Sequence, residues 1–493
     1  MQPTHPAREA RSGLEPWKYA DLPEPPSPKG LAWLGVVGPG VIVLGGSIGS
    51  GEFLLGPAAF VRYGLSLLWV TSIAAFLQTV LNTELMRYTI ATGEPVFTGF
   101  MRTRPHSTFW AWFYSILYFL QVGWPGWAGA AAGAIWFLFA RELAGPAQAD
   151  AVYWIGAGTF GLCVAILLFG RRIERTLEIL NWILVVSILS GFLILALLFV
   201  PLDVWVSGAA GLAGFDTTRG VFSFIPSGAD FFLIGAFAAY SGAGGVINLT
   251  LSNWARDKGY GMGSVVGYIP AAVGGRKVLL ASTGYTFAPD QASMTRWKGW
   301  WRIVRADQWV IYFTGALLGM FLPAILYVTF IEAGTEIRGL GVAAALANAM
   351  VSSAGPIFGG VVALMGVWVL FKTQLDIVDG TTRAITDILW TGSARVRTWR
   401  GGDVRIVYYG VLAAIAVWGV IALRLAQPIL LLQLGANMAG IVFVISALHV
   451  LYINTTLLPE PLRPPLWRRA ALVATSVFYG GFVFLWLNGL RSG

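Results

Sequence analysis

Apolar residues in this chain gather into long runs instead of alternating with polar ones at the spacing of a half-buried helix or strand. The runs fall at about 32–60, 65–90, 108–140, 152–170, 174–200, 229–254, 307–331, 355–378, 405–425, 429–453 and 469–488. Each is near or above the roughly 20 residues that carry an α-helix across a hydrocarbon core. The pattern predicts an all-α, polytopic membrane protein of about eleven transmembrane helices. The 108–140 run contains Pro125 and predicts either one kinked helix or a helix and a half. The Ala- and Val-rich stretch 340–354 predicts a short helix in an external loop.

Composition agrees with the pattern. Of 493 residues 56% are hydrophobic and 12% charged, where a soluble domain carries roughly a quarter charged residues. The net charge of +9 could signal nucleic acid, but the positions of the basic residues fit the positive-inside rule better. With the N-terminus inside, 27 of the 33 Lys and Arg fall in the tail and inward-facing segments. Arg62, Arg141, Arg219, Arg338, Arg424 and Arg491 fall singly on the other side. The expected placement is a prokaryotic inner membrane with a cytoplasmic N-terminus and an external C-terminus. One cysteine, Cys163, excludes a disulfide framework and a thiolate metal cluster. Three scattered His offer neither a catalytic cluster nor an HExxH motif, so neither an enzyme nor a cofactor is expected.

Four regions follow. Residues 1–30 are polar and Pro-rich and read as a flexible cytosolic tail without a signal peptide. Residues 31–202 and 203–453 each hold five spans, the second with a basic, aromatic loop at 255–306 expected along the inner, anionic membrane surface. Residues 454–493 add one further helix.

Spans 1 and 6 carry Gly/Ser clusters at mid-membrane depth: Gly45-Gly46-Ser47-Ile48-Gly49-Ser50-Gly51-Glu52 and Tyr240-Ser241-Gly242-Ala243-Gly244-Gly245. Gly in a helix interior costs about 1 kcal/mol relative to Ala. Backbone freed there survives in a bilayer only beside a cavity or packed protein. Small residues also serve close helix packing. Recurrence five spans apart is more telling, because an odd interval inverts the second set of helices. Paired interrupted helices in an inverted repeat mark the midplane site of a secondary transporter.

With those residues in view, the chain resembles the Nramp divalent-metal transporters. Gly38-Pro39, the break at 49–52, Gly64, Leu67-Leu68-Trp69, Thr92-Gly93 and Arg175 to Glu178 fall where that family has its pattern. The resemblance implies a LeuT-type fold of five plus five inverted helices, with helices 1 and 6 broken, and uptake of a divalent cation, often with protons. The family's Asp-Pro-Gly-Asn is replaced here by Gly49-Ser50-Gly51-Glu52, and its Met-Pro-His by the stretch around Gly242 to Gly244. Loss of the thioether leaves oxygen ligands, which suit Mg²⁺, Ca²⁺ or Mn²⁺. Ile48-Gly49-Ser50-Gly51 with Phe53 also resembles the first-helix signature of amino acid, polyamine and organocation permeases, so that reading stays open. A third is a non-transporting sensor on the same scaffold.

Ionisable groups inside spans are functional candidates by default. Glu52 is the first, as a metal ligand or proton-coupling carboxylate; a cap on the second half-helix is the structural alternative. The expected binding set is Gly49, Ser50, Gly51, Glu52, Tyr240, Ser241, Gly242, Gly244, Asn248, Gln433 and Asn437. Glu84, Lys372, Asp376, Asp379 and His449 are candidates for coupling or pathway. For Glu84 an ion pair with Arg87 competes, and for Lys372 with Asp376 mutual neutralisation. Glu178 is expected to pair with Arg171 or Arg175. The expected partners are a divalent cation, protons and lipid, without nucleic acid.

Overall fold

A computed structural model of the protein describes residues 12–49, 51–169, 173–273, 280–337, 339–425 and 427–492, with residues 490–492 in backbone only. Among the described residues nine helices are long and apolar enough to cross a membrane. They supply spans 1, 2, 4, 5 and 7 to 11. Span 3 (Ser107–Val122 and Gly126–Ala140) and span 6 (Phe231–Ala239 and Val246–Lys258) complete eleven as pairs of half-helices. The helix-and-a-half reading of 108–140 is thus the observed one. Pro125 has no N–H to continue the first segment, which stops at Val122.

Span 1 is the helix Pro39–Ser47, a break, a π turn at Gly51–Leu55 and the helix Gly56–Tyr63. Its first half packs on span 5 (Ile173–Phe199), the second half of span 6, span 8 (Pro356–Gly392) and the π segment Ala306–Phe313 of span 7. Span 8, at 37 residues, runs well past the expected end at 378. The extension survives because its polar residues find partners inside the protein. The stretch 340–354 is helical, with Ala345–Ala354 in α-helix.

The basic loop is more ordered than a surface segment. Its second half, Gln291–Arg305, runs without interruption into span 7. Trp300 and Trp301 are buried. The Trp300 indole donates to the Pro23 carbonyl at 2.9 Å, and the Arg87 and Arg468 guanidinium groups lie 4.3 and 4.9 Å from the Trp301 ring centre.

The N-terminal stretch from Ser12 is docked where a flexible tail was expected. Lys18–Tyr19 pairs in parallel with Tyr285–Thr286, and Leu22 is wholly buried. Beneath this strap sits Glu94. Its carboxylate takes hydrogen bonds from Arg102 at 2.5 and 2.8 Å, from Tyr88 at 2.7 Å and from the Gly284 N–H at 2.7 Å. Arg102 also donates to the Glu15 carbonyl and lies over Trp17.

Burial alone would push the Glu94 carboxyl up, but Arg102 and these hydrogen bonds outweigh it and hold it below the ordinary 4.5. A depressed carboxyl contributes stability that is full above its unfolded value and is lost as pH falls through the folded one. Acidification below about pH 4.5 is therefore expected to loosen the strap. Proteolysis at residues 12–29 and tryptophan emission should report one step, and Glu94→Gln should show the loosened state already at pH 7.

Candidate functional site: two facing helix breaks

The breaks of spans 1 and 6 meet. A Cβ placed on Gly51 would lie 1.8 Å from the Tyr240 carbonyl oxygen, so no larger residue allows this approach. Between them is a small cavity lined by Gly46, Ser47, Gly51, Val122, Trp127, Tyr240, Gly242, Ala243, Ile247 and Ile377. The Tyr240 hydroxyl is buried without a partner, and its ring centre lies 6.2 Å from that of Trp127. Gly242, at φ +127°, adopts a conformation that side chains rarely take.

Each break is closed by side chains from neighbouring spans. At span 6, Gln78 donates to the Ser241 carbonyl at 3.2 Å and accepts from Tyr312 at 2.9 Å. Tyr312 in turn accepts from the Ala243 N–H at 3.1 Å. Gln121 donates to the Gly244 carbonyl and accepts from the Val246 N–H, both at 2.9 Å. Gln78, Gln121 and Tyr312 were missed in the sequence, although two uncharged amides deep in apolar runs were a usable signal.

At span 1, Glu52 is fully buried and folds back over its own break, accepting from the Ser47 hydroxyl at 3.0 Å and the Gly49 N–H at 3.1 Å. Lys372 of span 8 donates to the carbonyls of Gly45 and of Ile48, the latter at 2.8 Å. The Thr373 hydroxyl, 2.9 Å from the Val369 carbonyl of its own helix, also lies 3.2 and 3.3 Å from the same two oxygens. An ammonium thus sits on carbonyls that the broken helix turns out of its own ladder. Asp307, at the basic end of span 7, accepts from the Gly38 N–H at 3.0 Å and anchors the start of span 1.

The other expected residues divide. Gly49, Glu52, Tyr240, Ser241 and Gly242 gather at the breaks; Ser50 lies outside the described residues. Ser241 donates to the Phe237 carbonyl at 2.9 Å, and Gly244 is held by Gln121. Asn248 is turned instead to Asn82 of span 2, at 2.9 Å. Asn437 donates to the Phe232 carbonyl and to that of Gln433, joining span 10 to span 6 away from the cavity lining, and Gln433 is likewise not part of that lining. Glu84 is bound by Arg87 at 2.8 Å, Arg468 at 3.1 Å and Asn454 at 3.2 Å. Asp379 accepts from Arg383, Tyr408 and Trp254. His449 bridges Thr103 and Tyr114, both at 2.9 Å, stacked on Phe100. In each of these last three the polar group has spent its valence on neighbouring helices. Arg171 lies outside the described residues, and Glu178 pairs with Arg175 at 2.5 Å and with Lys258.

Comparison with solved structures gives the same architecture. The manganese transporter of Eremococcus coleocola, in complex with an aromatic bis-isothiourea substituted compound, is 15% identical and superposes with a TM-score of 0.60 over 93% of this chain and 88% of that one. The fold is that of a manganese transporter. Two single-site mutants of the same transporter match at 17% and 16% identity, each with a TM-score of 0.60, over 93% and 95% of this chain and 88% and 89% of theirs. No family model and no curated protein matches the sequence. With this fold and nine helices long and apolar enough to span a bilayer among the described residues, the chain is an integral membrane protein. Among the described residues no group of three or more His, Cys, Asp or Glu could hold a metal ion. The cavity lining itself offers the Ser47 and Tyr240 hydroxyls and backbone, and Glu52 stands behind it through its hydrogen bond from Ser47.

Replacing Lys372 by Ala should leave the Gly45 and Ile48 carbonyls short of a donor, at about 1–3 kcal/mol for each buried group. A lower midpoint of thermal unfolding is expected, partly restored by sodium ions in the variant and unaffected by them in the wild type.

Proposed function

We propose that this protein is a secondary transporter that moves a hard divalent cation, of the Mg²⁺ or Mn²⁺ kind, through the cavity between the two breaks. The observation that carries this reading is Glu52, a carboxylate held fully buried at the break of span 1. An acid at that depth is costly unless it serves a charged guest or a fixed partner.

Charge bookkeeping supports a cation. Lys372 feels both Asp376, four residues along the same helix, and Glu52. Lys372 and Asp376 offset each other, which leaves the charge of Glu52 for the guest. Ser47, Gly51 and the Tyr240 hydroxyl add neutral oxygens around the cavity. Mg²⁺ bound by so few protein ligands would keep several waters, as that ion usually does. The likeness to a manganese transporter adds support at the level of fold.

A second reading, an organic cation, draws support from the aromatic walls Trp127 and Tyr240, whose faces attract ammonium groups. In the expected orientation the basic ends of the spans face the cytoplasm, so the cation would enter from the side of the single arginines.

The purified protein in liposomes should take up Mg²⁺ or Mn²⁺, and Glu52→Gln should slow uptake at least about tenfold, the loss that even a supporting residue of a metal site brings. Uptake that is absent, or indifferent to Glu52→Gln, rejects the divalent reading. Inhibition by small ammonium solutes without metal flux would favour the organic cation.

A further inference from the structure

Beyond the cavity, on the opposite side of the span 1 break from span 6, two buried oxygens stand without a donor. Asp376 of span 8 is fully buried and Asn181 of span 5 is 1% exposed. The Asn181 amide uses both N–H bonds, one to the Leu177 carbonyl at 3.0 Å and one to Asp376 Oδ1 at 2.8 Å. That fixes which end of the amide is nitrogen, since a flipped group would set its oxygen against a carbonyl and a carboxylate. The remaining atoms, Asn181 Oδ1 and Asp376 Oδ2, have no partner. Both crowd one point beside span 1, at 1.5 and 2.7 Å from where a Cβ on Gly45 would lie, so glycine alone fits there.

Two acceptors facing each other in a dry interior are unfavourable, and an unmade hydrogen bond there costs about 1–3 kcal/mol. One proton removes the conflict. On Asp376 Oδ2 it can be donated to Asn181 Oδ1, and the carboxylic acid and the amide then form a two-point ring. We infer that Asp376 and Asn181 form a proton-binding site, and that its proton is exchanged against the cation at the span 1 break. The charged and titratable groups that act on Asp376 are Lys372 and Asp379 on its own helix and Cys163 on span 4; Glu52 on span 1 joins through Lys372.

The exchange follows from charge. With the proton on Asp376, Lys372 and Glu52 balance and the break is neutral. When the proton leaves for water, the three groups carry one net negative charge and the break attracts a cation. A cation bound there favours proton loss by the same free energy, because such coupling is reciprocal. Lys372 supplies the mechanical link, since its ammonium grips the Gly45 and Ile48 carbonyls one helical turn from Asp376. This exchange rests on the cation reading above; the proton site itself does not.

Infrared difference spectra of the reconstituted protein after a pH jump, with no transported ion present, test the site directly. A protonated-carboxyl band is expected that disappears in Asp376→Asn, shifts in Asn181→Ala and persists in Glu52→Gln. A band that survives Asp376→Asn, or that Asn181→Ala leaves in place, overturns the site. For the exchange, Mn²⁺ added to the protein in weak buffer should release a proton from the wild type, and Asp376→Asn should abolish that release. Undiminished release in Asp376→Asn overturns the exchange. An infrared band with no response to Mn²⁺ in a wild type that takes up the ion overturns the exchange and leaves the proton site standing, whereas absent uptake rejects the cation reading alone.

Discussion

Everything at the centre of this protein follows from one constraint: a peptide group taken out of a helix inside a bilayer must find a partner within the protein. Spans 1 and 6 both break, and the partners come from other spans. Gln78, Gln121 and Tyr312 hold the backbone of span 6. Lys372, with Thr373 beside it, holds the carbonyls of span 1, while Glu52 takes the freed N–H of Gly49. Each break is therefore a joint between helices. Movement of span 8 or span 2 must pull directly on the backbone that lines the cavity.

Charge is distributed in two tiers. Near the breaks the ionisable groups are few, and one oxygen of Asp376, like that of the Asn181 amide, is left without a donor. Toward the basic end they are many and paired. Arg383 grips Asp379 and Asp257, Arg256 grips Asp257 and Asp387, and Asn253 completes Asp387. A buried pair of this kind contributes little net stability, yet removing one partner costs about 3–5 kcal/mol. Such a network ties the second half of span 6 to span 8 and favours one arrangement of the two.

The resemblance read from the sequence named both a fold and a metal site, and the two separate here. The fold matches that of a manganese transporter across nearly the whole chain at 15% identity. What neighbouring spans bring to the span 1 break is a lysine, with Asp376 beside Gly45 one turn along the same helix. A tethered ammonium on those carbonyls changes the electrostatics of the whole centre, and Glu52 with Asp376 is its counterweight.

Span number, the two breaks, an interruption at Pro125 and the place of an acid, Glu52, at one break were legible because they depend on local properties. Hydrocarbon demands continuous apolar length, Gly clusters and proline interrupt helices wherever they stand, and an isolated acid in an apolar run has few excuses. Partner choice was not legible. Nothing in the chain order says that Asn181 meets Asp376, that Gly45 makes room for both, or that Asn437 serves the Phe232 carbonyl while Gln121 serves the break. Nor does composition reveal that Ser12 to Lys29 docks, since its hold on the protein lies in Leu22 and in Trp17 beneath Arg102. The sequence by itself determined where helices run and where they must break, because backbone hydrogen bonding and hydrophobic length are decided within each segment. Tertiary structure alone decided which polar atoms are spent on neighbours and which stay free to bind, because that depends on packing between residues hundreds of positions apart.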